Sequence, residues 1–115
     1  MIFIIEDDRI MANCIARASK ADACLFSNAI EAMAKISEGV IPNLIFLDIL
    51  LDGPDGFTFL NELVSYDDTS RIPIVIVSSL AFKEEELKGY GVVGVLNKDE
   101  MLPGEIRKYV EKYER

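Results

Sequence analysis

Apolar residues fall along this chain in two alternating rhythms. Short solid runs stand at Ile2 to Ile5, Ala23 to Ser27, Asn43 to Asp48, Ile74 to Val77 and Gly91 to Leu96, each bounded by polar or turn-forming residues. Runs of that length without polar alternation predict strands buried on both faces, the pattern of a parallel sheet. Between them the apolar spacing changes to three and four. Ile10, Met11, Cys14, Ile15 and Ala18 predict a helix from Asp8 to about Lys20, with Asp8 as its N-cap. Asn28 predicts the cap of a second helix carrying Ile30, Met33, Ala34 and Ile36 on one side and stopped by Gly39. Gly56 to about Ser65 predicts a third, with Phe57, Leu60, Leu63 and Val64 inward. Lys83 to Tyr90 predicts a short, weakly apolar fourth around Leu87. Pro103 suits the first turn of a last helix striped by Ile106, Tyr109, Val110 and Tyr113.

Strand and helix thus alternate as βαβαβαβαβα. Strict alternation with apolar strands calls for one parallel sheet covered by helices on both faces and joined by right-handed crossovers. The expected fold is α/β, a flavodoxin-like (βα)5 three-layer sandwich with five strands in the order 2-1-3-4-5, which makes strands 1 and 3 neighbours at the switch point. A chain of 115 residues fits a single domain, 1–115.

The residues that end the strands carry chemistry. Strand 1 ends in Glu6 and Asp7, strand 3 in Asp48, strand 4 in Ser78 and strand 5 in Lys98. Neighbouring strands lie about 4.8 Å apart, so these side chains can converge on one shallow cleft. Three carboxylates together repel unless a cation sits among them. Oxygen-only ligands at an open, hydrated place suit magnesium. A lysine and a serine opposite could hold the remaining oxygens of a phosphoryl group, and Asp48 could be the nucleophile that receives it. Each residue also has an ordinary use. Glu6, Asp7 and Asp8 could be helix-dipole acids and a cap, Asp48 a turn residue, Ser78 a local backbone acceptor, and Lys98 a solvated lysine. Four separate strand ends each bearing the required group argue for the joint reading.

Read together, Ile4-Ile5-Glu6-Asp7-Asp8, Leu47-Asp48-Ile49-Leu50, Asp55-Gly56, Ser78 thirty residues after Asp48 and Lys98 twenty after that resemble the receiver domain of two-component response regulators, the CheY-like family, over the whole chain. The resemblance implies that Glu6 and Asp7 hold Mg2+ with Asp48 and the backbone carbonyl of Leu50. It implies that Asp48 accepts phosphate from a histidine kinase or phosphotransfer protein, that Ser78 follows the phosphate, and that Lys98 pairs with it. It implies a switch rather than an enzyme, acting on a downstream protein through helix 4, strand 5 and helix 5, where Glu84, Glu85 and Glu86 mix with Arg107, Lys108 and Lys112. Pairing of two copies on phosphorylation stays open. The chain departs from the family pattern at Asp52, where a proline is common, at Asp99, which follows Lys98 in place of proline, and at Val95, the place of a switching aromatic. Leu50 and Leu80 stand two residues after Asp48 and Ser78, where polar side chains often face the attacking water. A long-lived phosphoryl state is expected from them.

Composition narrows the partners. A formal charge of −8 argues against direct nucleic-acid binding, which needs Lys and Arg to neutralise phosphates. No apolar run approaches the roughly 20 residues that span a bilayer, so no membrane insertion is expected. Met1 leads straight into Ile2-Phe3-Ile4-Ile5 without a basic region, which points to a cytoplasmic protein. The absence of histidine excludes a Ser-His-Asp or Cys-His mechanism within the chain. Cys14 and Cys24 both sit in apolar patterns and read as buried reduced thiols.

Two other readings compete. One is a degenerate receiver that binds proteins without cycling phosphate; the presence of every required group argues against it. The other is a phosphatase of the haloacid dehalogenase type, which needs a second acid two residues after its nucleophile. Leu50 occupies that place.

Overall fold

The computed structural model describes residues 1–49, 56–80 and 84–114. Five parallel strands, β1 (Ile2–Ile5), β2 (Ala23–Phe26), β3 (Leu44–Asp48), β4 (Ile74–Ser78) and β5 (Val92–Asn97), form one sheet in the order 2-1-3-4-5. The helices are α1 (Arg9–Ser19), α2 (Ala29–Ser37), α3 (Gly56–Val64), α4 (Glu84–Leu87), prolonged by a 3-10 turn at Lys88–Tyr90, and α5 (Pro103–Tyr113). The expected flavodoxin-like architecture is the one observed.

Burial of β1, β3 and β4 on both faces explains their unbroken apolar runs: every residue of these three strands is buried. One face meets α2 and α3 through Phe3, Ile45, Phe59 and Leu60. The other meets α1 and α5 through Ile4, Phe46, Ile15 and Val110. Helix starts follow the capping chemistry. Asp8 accepts hydrogen bonds from the Ile10 and Met11 amides at 3.0 and 3.2 Å, and Asn28 accepts one from Glu31 at 2.9 Å. Pro103 stands in the first turn of α5, where its missing N–H costs nothing.

The helical faces differ from the periodic reading. In α1 the inward residues are Ala12, Ile15 and Ser19, while Ile10 is 78% exposed and Cys14 is exposed. Cys14 is therefore not a core thiol, and Cys24 is only partly buried. In α2 the inward set is Ala29, Ala32 and Ile36; Ile30 and Ala34 face out. In α3 Phe59, Leu60 and Leu63 pack inward, and Phe57 is exposed. In α1 and α2 small residues, Ala12, Ser19, Ala29 and Ala32, share the buried face with one isoleucine each, so side-chain size as well as hydrophobicity decides which residues fit against the sheet. Arg107 also departs from expectation: its Nη1 donates to the Ser19 carbonyl at 2.9 Å, so it faces α1 rather than the α4 side.

Two glycines mark close approaches. A Cβ at Gly56 would lie 2.7 Å from Ile49 Cα, so the start of α3 can press on the end of β3 only without a side chain. A Cβ at Gly94 would lie 2.0 Å from Tyr109 Oη, so the Tyr109 phenol sits directly over the bare backbone of β5.

Candidate functional site

Sheet register brings the acids together. Ile5 of β1 pairs with Leu47 of β3, so Glu6 follows at the level of Asp48. Asp48 pairs in turn with Val77 of β4, one residue before Ser78, and Ser78 pairs with Asn97 of β5, one residue before Lys98. Three successive pairings therefore set Glu6, Asp48, Ser78 and Lys98 along one carboxyl edge of the sheet. Glu6, Asp7 and Asp48 each present a carboxylate oxygen within 4.8 Å of the others. Glu6 and Asp48 are buried, and Asp7 is exposed.

Lys98 reaches back across this edge. Its Nζ lies 2.5 Å from Glu6 Oε1 and donates to Asp48 Oδ2 at 3.1 Å. One cation thus faces two buried acidic groups. Burial, followed by the hydrogen bond with Asp48, pushes the Glu6 carboxyl up to about 8, against the pull of Lys98. Burial opposes the charge on Lys98, yet the Glu6 and Asp48 carboxylates outweigh it and hold the ammonium above its ordinary value. Glu6 Oε2 is buried and has no hydrogen-bond partner among the described residues. A buried carboxylate oxygen without a donor is costly, and it is what a hard cation would satisfy. The donor set, oxygen-only and open on the Asp7 side, fits a hydrated divalent ion such as magnesium.

Ser78 is buried, and its hydroxyl accepts a hydrogen bond from the Leu80 amide at 3.0 Å. Beyond the strand ends, the Lys98 amide donates to the Ser78 carbonyl at 3.0 Å, joining the tips of β4 and β5. Leu50 and its carbonyl, like Asp52 and Asp55, lie outside the described residues. The bond after Lys98 is trans, as expected without a proline.

Asn97 belongs to the site and was not singled out from sequence. Its side-chain oxygen accepts from the Asp99 amide at 2.8 Å, and its carbonyl accepts from Glu100 and Met101. This turn holds the backbone of Lys98 in place. An asparagine at a strand end is the signal that could have revealed it, since its side chain can close a turn on the backbone two residues on.

Comparison with known proteins agrees with this geometry. The family model of the response regulator receiver domain matches residues 2–111. The regulatory protein VanRB of Enterococcus faecalis is 32% identical over 94 residues, 77% of this chain and 40% of that protein. The response regulator PleD of Caulobacter vibrioides is 33% identical over 49 residues, 43% of this chain and 11% of that protein. The chain spans less than half the length of the curated relatives it matches. Among solved structures, the receiver domain of NtrX from Brucella abortus superposes with a TM-score of 0.81 at 22% identity, covering 98% of this chain and 97% of that one. The Mn2+-bound response regulator Rcp1 does so with a TM-score of 0.75 at 25% identity, covering 98% and 90%. The chain belongs to the response regulator receiver domain family of two-component signal transduction.

Proposed function

We propose that this domain, residues 1–115, is a phosphoacceptor switch rather than an enzyme, and that Asp48 receives the phosphoryl group. The observation that carries the reading is the pair of buried carboxylates, Glu6 and Asp48, sharing the single ammonium of Lys98 at the sheet edge. Without metal this arrangement keeps a proton on Glu6, and a divalent cation among the three carboxyl groups could take that proton's place.

Glu6, Asp7 and Asp48 would hold Mg2+, with the Leu50 carbonyl as a further ligand. The response regulator Rcp1, which resembles this chain, takes Mn2+, an ion with the same preference for oxygen ligands. A divalent ion held there would supply charge neutralisation on the phosphoryl oxygens, and Glu6 would meet it as a carboxylate rather than keep its proton. Asp48 attacks the phosphorus of a phosphohistidine on a histidine kinase or phosphotransfer protein. A P–O bond forms as the P–N bond breaks, and the imidazole leaves with a proton. Lys98 turns from the Asp48 carboxylate to the phosphoryl oxygens. Ser78 exchanges its Leu80 bond for one to the same group, and this movement alters a face that a downstream protein reads. No helix among the described residues is long and apolar enough to cross a membrane.

Incubation with radiolabelled acetyl phosphate and magnesium tests the reading. Stoichiometric, alkali-labile label is expected, absent from Asp48→Asn and absent in EDTA. Equal labelling of wild type and Asp48→Asn would overturn the assignment of the phosphoacceptor.

A further inference from the structure

A cleft of about 480 Å3 lies between α1 and α5, away from the carboxylate edge, and Arg17, Lys20 and Arg107 all line it. The chain carries twelve basic residues against twenty acids, and the lining of this cleft holds three of the bases and no acid. Arg17 and Lys20 make no ion pair among the described residues. Their place at the end of α1 suits the helix dipole. The dipole of α5 gives Arg107 no such reason, because that residue stands near the amino-terminal half of its helix. Arg107 is instead anchored, through Nη1 on the Ser19 carbonyl and Nε 3.4 Å from the exposed Glu111. It serves as a fixed charge rather than a free two-pronged clamp.

The backbone supports the same conclusion. Lys20 sits in the left-handed region at φ 53°, a position that favours glycine. The cleft floor is low. Ala18 lines it, and a side chain at Gly104 would meet nothing within 4 Å, so a main chain can approach closely. Separate positive charges along an open, shallow, partly apolar cleft fit carboxylates spaced along a chain better than one compact anion.

We propose that the α1/α5 cleft is a docking surface for an acidic peptide segment of a partner protein, held by Arg17, Lys20 and Arg107. On a domain of charge −8, an acidic segment is repelled by most of the surface. The cleft therefore sets where it lands as well as how strongly it is held. The inference is independent of Asp48 and of phosphorylation.

A fluorescent oligoglutamate peptide, titrated against the full chain and followed by anisotropy, tests it. Binding is expected at low ionic strength and should weaken as salt rises. The double variant Arg17→Gln, Lys20→Gly should bind about tenfold more weakly. Glycine suits the left-handed backbone at position 20, so loss of fold does not explain a loss of binding there. Lys108→Gln, Lys112→Gln removes the same charge from exposed positions of α5 and should leave binding within about twofold. Exposed Cys14 lines the cleft, so bound peptide should slow its alkylation by a maleimide. Equal weakening by both double variants, or no protection of Cys14, overturns the proposal. So does protection of Cys14 by tripolyphosphate at lower concentration than the peptide, which would make the cleft a site for small anions.

Discussion

Lys98 places its ammonium 2.5 Å from Glu6 Oε1, although the two residues follow β5 and β1, which β3 and β4 separate in the sheet. The lysine crosses above β3 and β4 to reach it, and Asp48 lies within its reach on the way. Removing this cation takes the ammonium away from two buried acidic groups. Lys98→Met is expected to lower the stability of the metal-free domain by about 2–3 kcal/mol, less than a fully charged buried pair would lose because Glu6 can keep a proton. Urea unfolding in EDTA measures the difference. A midpoint equal to wild type would show that the ion pair carries no net weight.

The raised titration of Glu6 gives stability a direction with pH. Its carboxyl is shifted from 4.5 up to about 8, so between those values the folded state holds a proton that the unfolded chain has lost. Stability of the metal-free domain is therefore fully present below about pH 4.5 as far as this group is concerned, and falls as pH rises toward 8. The slope is at most about 1.4 kcal/mol per pH unit for one proton. Glu6→Gln should flatten it. Melting temperatures in EDTA across this window decide the matter.

Magnesium should act against that trend. Binding only the folded form, it stabilises by about 2.7 kcal/mol at one hundred times its dissociation constant. Its effect should grow with pH as it competes with the Glu6 proton. On the proposed assignment, Asp48→Asn would remove one of three carboxylate ligands and one repelling charge together. That variant should melt higher than wild type in EDTA and gain little from magnesium. A full gain in the variant would place the ion elsewhere.

Gly94 and Tyr109 should be coupled energetically. A methyl at Gly94 collides with the phenol at 2.0 Å, so Gly94→Ala is expected to cost about 1–3 kcal/mol, the range for overpacking. In a Tyr109→Leu background the same change should cost clearly less. Chemical denaturation of the four proteins gives the coupling directly, and additivity of the two changes would contradict the packing described.

Leu80 is 49% exposed two residues after Ser78, and it offers no group to orient an attacking water. The phosphorylated domain should therefore keep its label for minutes or longer in magnesium. Loss within seconds, followed by filter binding after removal of acetyl phosphate, would contradict this. Leu80→Glu is expected to shorten the lifetime.

The strands were readable because burial on both faces removes any alternation. A run such as Ile2-Phe3-Ile4-Ile5 has few other uses, and the strand ends then mark Glu6, Asp48, Ser78 and Lys98 in the sequence itself. Register did the rest, since parallel pairing aligns the tips of neighbouring strands. Helical faces were less readable. Ile10 and Ile30 mimic core residues in a periodic pattern, yet Ala12 and Ala32 occupy the buried positions. Hydropathy does not encode how near a helix lies to its sheet. The Asn97 turn, the Gly94 contact and the approach of Arg107 to Ser19 depend on chain segments distant in sequence or on local bonds that no period records.

The hydrogen bond from the Lys98 amide to the Ser78 carbonyl fastens two strand tips at their outermost point. Neither tip can be tugged without carrying the other. Whatever draws on the serine hydroxyl or the lysine ammonium thus moves a single stiff lip at that end of the sheet. Through Tyr109, seated on β5, α5 feels the same pull, so an event at the acidic rim has a mechanical route to the helix on the sheet's flank.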